Sequence, residues 1–133
     1  MSLAIEQALR GFFASRAEGV VAAYLFGSVA RRTAGPSSDV DVAVLYAVAP
    51  PATIDGLPVD LENDLAQLLR RPVQVVVLNT APVDLVHRVL RDGVLVLDRD
   101  PGARIRFEVR ARNEYFDLQP ILARYRRRPS AAP

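Results

Sequence analysis

The residues best suited to chemistry are Gly27-Ser28 and, after ten intervening positions, Asp39-Val40-Asp41. On an extended strand side chains alternate faces, so Asp39 and Asp41 point the same way and Val40 points into the core. Two carboxylates that close repel each other unless a cation lies between them. Oxygen-only ligands suit Mg²⁺ or Mn²⁺. A glycine at a strand end lets backbone approach a phosphate closely. Backbone N–H groups and the Ser28 hydroxyl can then bind phosphate oxygens, helped by the N-terminus of a short following helix. Arg31 and Arg32, one turn into that helix, can neutralise phosphate charge. A lone Asp-x-Asp or Gly-Ser pair is an ordinary surface feature; their joint spacing at the ends of two expected strands is the signal for a metal–nucleotide site.

Those two strands need a scaffold. Apolar residues at helical spacing predict a helix over 2–16. Gly19 opens a strand, Val20–Phe26, closed by Gly27-Ser28. Residues 29–33 read as one helical turn and 34–38 as a loop. Asp39–Tyr46 is the second strand, and 57–70 is a helix pattern. Val73–Leu78 is a third extended run, Pro82 enters a helix running to Asp92, and Gly93 is placed as its C′ residue. Val94–Leu97 is the fourth strand. From Ala103 the pattern is helical, with a kink or break expected at Pro120, which lacks an N–H. Residues 126–133 read as a disordered basic tail behind a single domain over 1–125. The order is that of a small α/β (α+β) domain: a mixed sheet of about four strands flanked by helices.

Composition removes several alternatives. The chain has 133 residues, half of them apolar, enough for one core. It has no cysteine, so disulfides, thiolate catalysis and cysteine–zinc sites are excluded. All 17 basic residues are arginine, which removes a Walker-type loop and Schiff-base chemistry. No apolar run approaches a membrane span and the N-terminus lacks a signal-peptide pattern, so a cytoplasmic protein without membrane contact is expected. The charge is uneven: residues 1–100 carry 9 Arg and 12 acids, residues 101–133 carry 8 Arg and 3 acids. That bias suits an acidic partner, a nucleic acid, or merely a solvated helix face.

The segment from Gly27 to Val44, with its Gly-Ser turn and Asp-Val-Asp strand, resembles the signature of the DNA polymerase β-like nucleotidyltransferases. More narrowly it is similar to their minimal single-domain branch, the MNT or MntA-type antitoxins. The likeness continues through Arg71-Pro72-Val73, the helix over 83–92, and Arg106-Phe107-Glu108 to Tyr115-Phe116-Asp117-Leu118. It implies the nucleotidyltransferase fold, with two divalent ions held by Asp39 and Asp41. It also implies an ATP triphosphate held by Gly27 and Ser28, with Arg31 and Ser38 assisting. The ions would stabilise the transition state at the α-phosphorus and the leaving pyrophosphate. MntA-type members pair with a HEPN-domain ribonuclease toxin and transfer AMP to one of its tyrosines. The resemblance thus implies a HEPN partner, with nucleic acid met only through that partner.

One position departs from the pattern. The family places a third carboxylate on the next core strand, where Gln74 stands in this chain; Val77 takes the place of another frequent acid. An amide oxygen can coordinate a cation weakly but cannot serve as a general base. General-base help is typically worth about 10²–10⁴-fold. The alternatives are therefore a slow transferase, a pseudo-nucleotidyltransferase acting by binding alone, or a small-molecule nucleotidyltransferase. Glu62, Asp64 and Asp84 fall on expected helices and read more simply as solvated or capping charges than as substitutes. His87, the only histidine, reads as a packing or surface residue. Tyr24 and Phe26 read as core. Arg104, Arg106, Arg110 and Tyr115 are the expected partner surface, although Arg106/Arg110 and Arg110/Glu114 at helical spacing also suit plain surface charge.

Overall fold

The computed structural model describes residues 2–33, 35, 38–51, 53 and 56–127. The elements run α1 (Ser2–Ser15), β1 (Val20–Phe26), α2 (Gly27–Ala30), β2 (Val40–Tyr46), α3 (Val59–Leu69), β3 (Val73–Val77), α4 (Val83–Asp92), β4 (Val94–Asp98) and α5 (Pro101–Arg127). The four strands form one sheet in the order β3-β2-β1-β4. β1 is antiparallel to both neighbours, and β2 is parallel to β3 through the α3 crossover. This is the expected mixed α/β sheet.

Strand alternation divides the core in two. Val40, Val42 and Val44 face one way, onto Leu9 and Phe13 of α1 and Leu65 of α3. Ala43, Leu45 and Tyr24 face the other way, onto Val86 and Val89 of α4, with Phe107 and Ala111 of α5 packed alongside. With β1 and β2 covered on both faces, their near-continuous apolar sequences follow. Burying Leu9, Phe13, Leu25 and Leu65 in full is worth about 1.5–3 kcal/mol each, which holds the sheet rigid behind its polar ends.

Several boundaries differ from the sequence reading, each for a physical reason. β2 begins at Val40, one residue after Asp39, because the ladder's first rung is the Val40–Val73 pair. The helix after β1 starts earlier and stops sooner: Arg31 is its C-cap, and Arg32 has a left-handed φ of 60°. Pro82 is the N-cap of α4 rather than a first-turn residue. Gly93 closes α4 with extended dihedrals, φ −75° and ψ 154°, not a left-handed C′ geometry. Glycine is needed there for space, since a Cβ would overlap the Val89 carbonyl oxygen. The helical assignment of α5 runs unbroken through Pro120. That turn is exposed, where a carbonyl left without its N–H partner is open to solvent. Arg126 and Arg127 complete α5, while the rest of the expected tail, 128–133, lies outside the described residues, as do Ala34, Pro36 and Ser37 of the expected 34–38 loop. No helix among the described residues is long and apolar enough to cross a membrane.

Candidate functional site

The site forms where β1 ends and β2 begins. Pairing sets Phe26 of β1 beside Asp41, and Asp41 beside Gln74 of β3. Registered neighbours share a face, so Asp41 and Gln74 point to the side covered by α4 and α5. Phe26 is extended, φ −138° and ψ −172°, and Gly27 then turns with φ 76°. A side chain is strained at that φ, and a Cβ at position 27 would overlap Asp41 Oδ2. The Gly-Ser turn and the second carboxylate are thus in direct apposition.

After the turn, the Gly27 carbonyl accepts from the Arg31 N–H at 3.1 Å, and the Ser28 carbonyl from the Thr33 N–H at 2.9 Å. The first N–H groups of such a turn have no partner within it and face outward. Val29 is buried and anchors the turn to the core. Ser28 is half-buried, with only its carbonyl used in these contacts.

Asp39 is exposed and Asp41 half-buried. Burial first, and the neighbouring Asp39 charge second, raise the Asp41 carboxyl above its ordinary range, while the Arg31 guanidinium pulls it back. Neither carboxylate has an ion-pair partner among the described residues. A half-buried carboxylate beside a like charge gains from a cation between them. Among the described residues, no group of three or more His, Cys, Asp or Glu side chains forms a metal cluster. The available set is two carboxylates and an amide. That set fits an ion such as Mg²⁺, which is commonly bound by one or two carboxylates with substrate phosphates completing the shell.

The other candidate residues are placed as follows. Asp64 pairs with Arg16 at 3.2 Å; Glu62 and Asp84 stand in the first turns of α3 and α4, at the end of the sheet where β2 and β3 finish. None of the three joins the site. The His87 ring stacks on Tyr115 with centroids 3.6 Å apart and planes 3° from parallel, so both help join α4 to α5. Arg104 is enclosed: its Nε lies 3.0 Å from Asp98 Oδ1 and its Nη1 3.2 Å from Glu108 Oε1. The Tyr24 hydroxyl donates to Glu108 Oε2 at 2.8 Å, and burial pushes its pKa well up. Arg106 and Arg110 are exposed. Arg110 and Glu114 form no ion pair; Arg104 and Arg112 meet Glu108 instead.

The sequence reading assigned no role to Arg71 and Arg99. The Arg71 guanidinium donates to the carbonyls of Gly35 and Ser38. That of Arg99 donates to the carbonyls of Phe13, Arg16, Ala17 and Val20, tying the α1–β1 loop to β4. Side-chain bonds to backbone across 36 or 86 positions leave no periodic trace in a sequence.

Residues 8–102 match the family model described as polymerase beta, nucleotidyltransferase. Comparison with curated proteins finds no match. The fold is similar to a chain of a toxin–antitoxin complex solved with AMP-PNP, with a TM-score of 0.71, 24% identity, and 90% of this chain and 97% of that one covered. It is also similar to a chain of the complex between tri-AMPylated Shewanella oneidensis HEPN toxin and an MNT antitoxin, with a TM-score of 0.67, 22% identity, and coverage of 94% and 98%. A chain of the MntA–HepT toxin–antitoxin complex gives a TM-score of 0.66 and 21% identity, with 92% and 97% covered. At these identities the likeness is one of fold.

Proposed function

The chain belongs to the polymerase beta nucleotidyltransferase family, and we propose that it is an MNT-type antitoxin that transfers AMP from ATP to a tyrosine hydroxyl of a HEPN-domain toxin and also binds that toxin directly. The observation that carries the reading is the apposition of Gly27 and Asp41, with Asp39 close enough to raise the Asp41 carboxyl. Support also comes from the fold neighbours, which include a complex with AMP-PNP and one whose HEPN toxin is AMPylated.

In this reading the N–H groups and hydroxyl at Gly27-Ser28 bind the triphosphate. Arg31, exposed beside the turn, offsets its charge, and Ser38 lies at the entrance to the carboxylate strand. Asp39 and Asp41 would hold Mg²⁺ or Mn²⁺, which when bound stabilises charge on the transferring phosphoryl group and on pyrophosphate. The tyrosine oxygen forms a bond to the α-phosphorus, the bond from that phosphorus to the bridging oxygen breaks, and pyrophosphate leaves. The tyrosine proton must go to a group other than Gln74, because an amide is no base at neutral pH. The exposed Arg106 and Arg110 remain available for partner contact, whereas Arg104 and Tyr115 are engaged within the fold.

The test is the intact mass of a HEPN-domain toxin co-expressed with wild-type protein and with the Asp39→Asn, Asp41→Asn double variant. Wild type adds one or more AMP units, and the double variant lowers transfer by at least about 10³-fold. Equal mass gain with both proteins would sink the assignment.

A second reading is favoured by Gln74 standing in register with Asp41: neutralisation by binding alone. It predicts no mass gain with either protein and growth protection that survives the double substitution.

A further inference from the structure

Asp39 lies outside the sheet, exposed, so its position depends on what holds the chain on either side. Behind it, the Val40 N–H donates to the Pro72 carbonyl at 2.9 Å. Ahead of it, Arg71 holds the chain. Arg71 Nε and Nη2 donate to the Ser38 carbonyl at 3.1 and 2.6 Å, and Nη2 also donates to the Gly35 carbonyl at 3.0 Å. Gly35 and Ser38 are also bonded to each other: the Ser38 N–H donates to the Gly35 carbonyl at 3.2 Å, and the Gly35 N–H to Ser38 Oγ at 2.9 Å. The same guanidinium therefore grips both Gly35 and Ser38, the residue that leads into Asp39.

The route to Arg71 is built for this. Arg70 ends α3 in the left-handed region, φ 54° and ψ 40°, a conformation a non-glycine residue adopts only where its surroundings hold it there. The chain thereby reverses into β3, with Pro72 fixing the next φ. Arg71 thus stands at the start of β3, beside the start of β2. A planar fork of donors can satisfy two carbonyls at once; a lysine ammonium is a point donor without that fixed geometry.

We infer that Arg71 is a positioning residue for the cation site, setting the Asp39 carboxylate against Asp41 by clamping the carbonyls of Gly35 and Ser38. The inference rests on the reading of Asp39 and Asp41 as metal ligands. Residues that orient metal ligands from outside the coordination shell typically change metal affinity by about 10–100-fold.

The experiment measures Mn²⁺ binding to the full chain in the presence of AMP-PNP, from the electron paramagnetic resonance signal of free Mn²⁺. Wild type is compared with Arg71→Met, Arg71→Lys and the Asp39→Asn, Asp41→Asn double variant, with circular dichroism confirming each fold. Arg71→Met is expected to need about 10–100-fold more Mn²⁺ for half-saturation, and Arg71→Lys an intermediate amount. A purely structural role would lower Tm without moving Mn²⁺ affinity in the folded protein, and would show no graded lysine rescue. Wild-type affinity in folded Arg71→Met, with binding lost in the double variant, overturns the clamp and leaves the ligand reading standing. Wild-type affinity in the double variant overturns the ligand reading and this inference with it. If Arg71→Met does not fold, Arg71→Lys decides: weakened Mn²⁺ binding supports the clamp and wild-type affinity overturns it.

Discussion

Two pairs of acids among the described residues are met in opposite ways. Beside Tyr24, in the second half of the molecule, Asp98 and Glu108 are both answered: Arg104 bridges them and the Tyr24 hydroxyl caps Glu108. The Glu108 side chain is only 14% exposed and that of Arg104 19%, so the cluster is closed to ligands. At the Gly27 end, Asp39 and Asp41 have no ion-pair partner among the described residues, and the Asp41 carboxyl is raised, by burial first and by the Asp39 charge second. The first arrangement stabilises the fold. The second costs the fold stability, and a rigid sheet holds it nonetheless. Unsatisfied charge retained on a rigid element marks a place for a ligand.

That contrast makes opposite predictions for substitutions in the two clusters. The larger effect is expected at the closed one. Arg104→Met leaves the largely enclosed Glu108 carboxylate, and the more exposed Asp98, without their cation and should destabilise by about 2 kcal/mol, lowering Tm on the order of 6 °C. Thermal melts check the stability, and Mn²⁺ binding by the surviving folded protein should match wild type.

The smaller effect has the opposite sign. Without divalent cation, Asp41→Asn should raise Tm near neutral pH by about 1–2 °C. The sign follows from the direction of the shift. The Asp41 carboxyl is raised above its ordinary value of 3.8, so the folded chain binds that proton more readily than the unfolded chain does. The stability this group supplies is complete below the ordinary value and is lost as pH rises through the folded one. The advantage of Asn should therefore shrink as pH falls toward 4. Melts across that range, with chelator present, read it directly; a variant less stable than wild type at neutral pH would show that Asp41 is already satisfied by the protein.

The two clusters were also unequally legible in the sequence. The open site depends on local pattern: a strand ending in Gly27-Ser28 and a strand carrying Asp41, both set by runs of β-branched and apolar residues. Val40, Val42 and Val44 alternate in register with the core, which fixes the face of Asp41 as well. The error there was one residue, because the ladder's first rung lies with Val73, a partner local pattern does not reveal. Gln74 was placed beside Asp41 only through the family resemblance, and the parallel β2–β3 register accounts for that placement physically. The closed cluster was not legible. Arg104 is expected at the partner surface, but Asp98 on the preceding strand and Glu108 one turn further along α5 draw it inward. Arg71 was invisible for the same reason, since its partners are carbonyls that every residue possesses. At Pro120 the helix does not break, because an exposed helix tolerates a missing bond that a buried one would not.

The most direct measurement is a crystal structure of the chain with Mn²⁺ and AMP-PNP, with the ion located by its anomalous signal. The predicted result is Mn²⁺ coordinated by the carboxylates of Asp39 and Asp41, with the triphosphate lying along the Gly27-Ser28 turn. A fully loaded complex with the ion on other side chains, or with the nucleotide away from that turn, would contradict it.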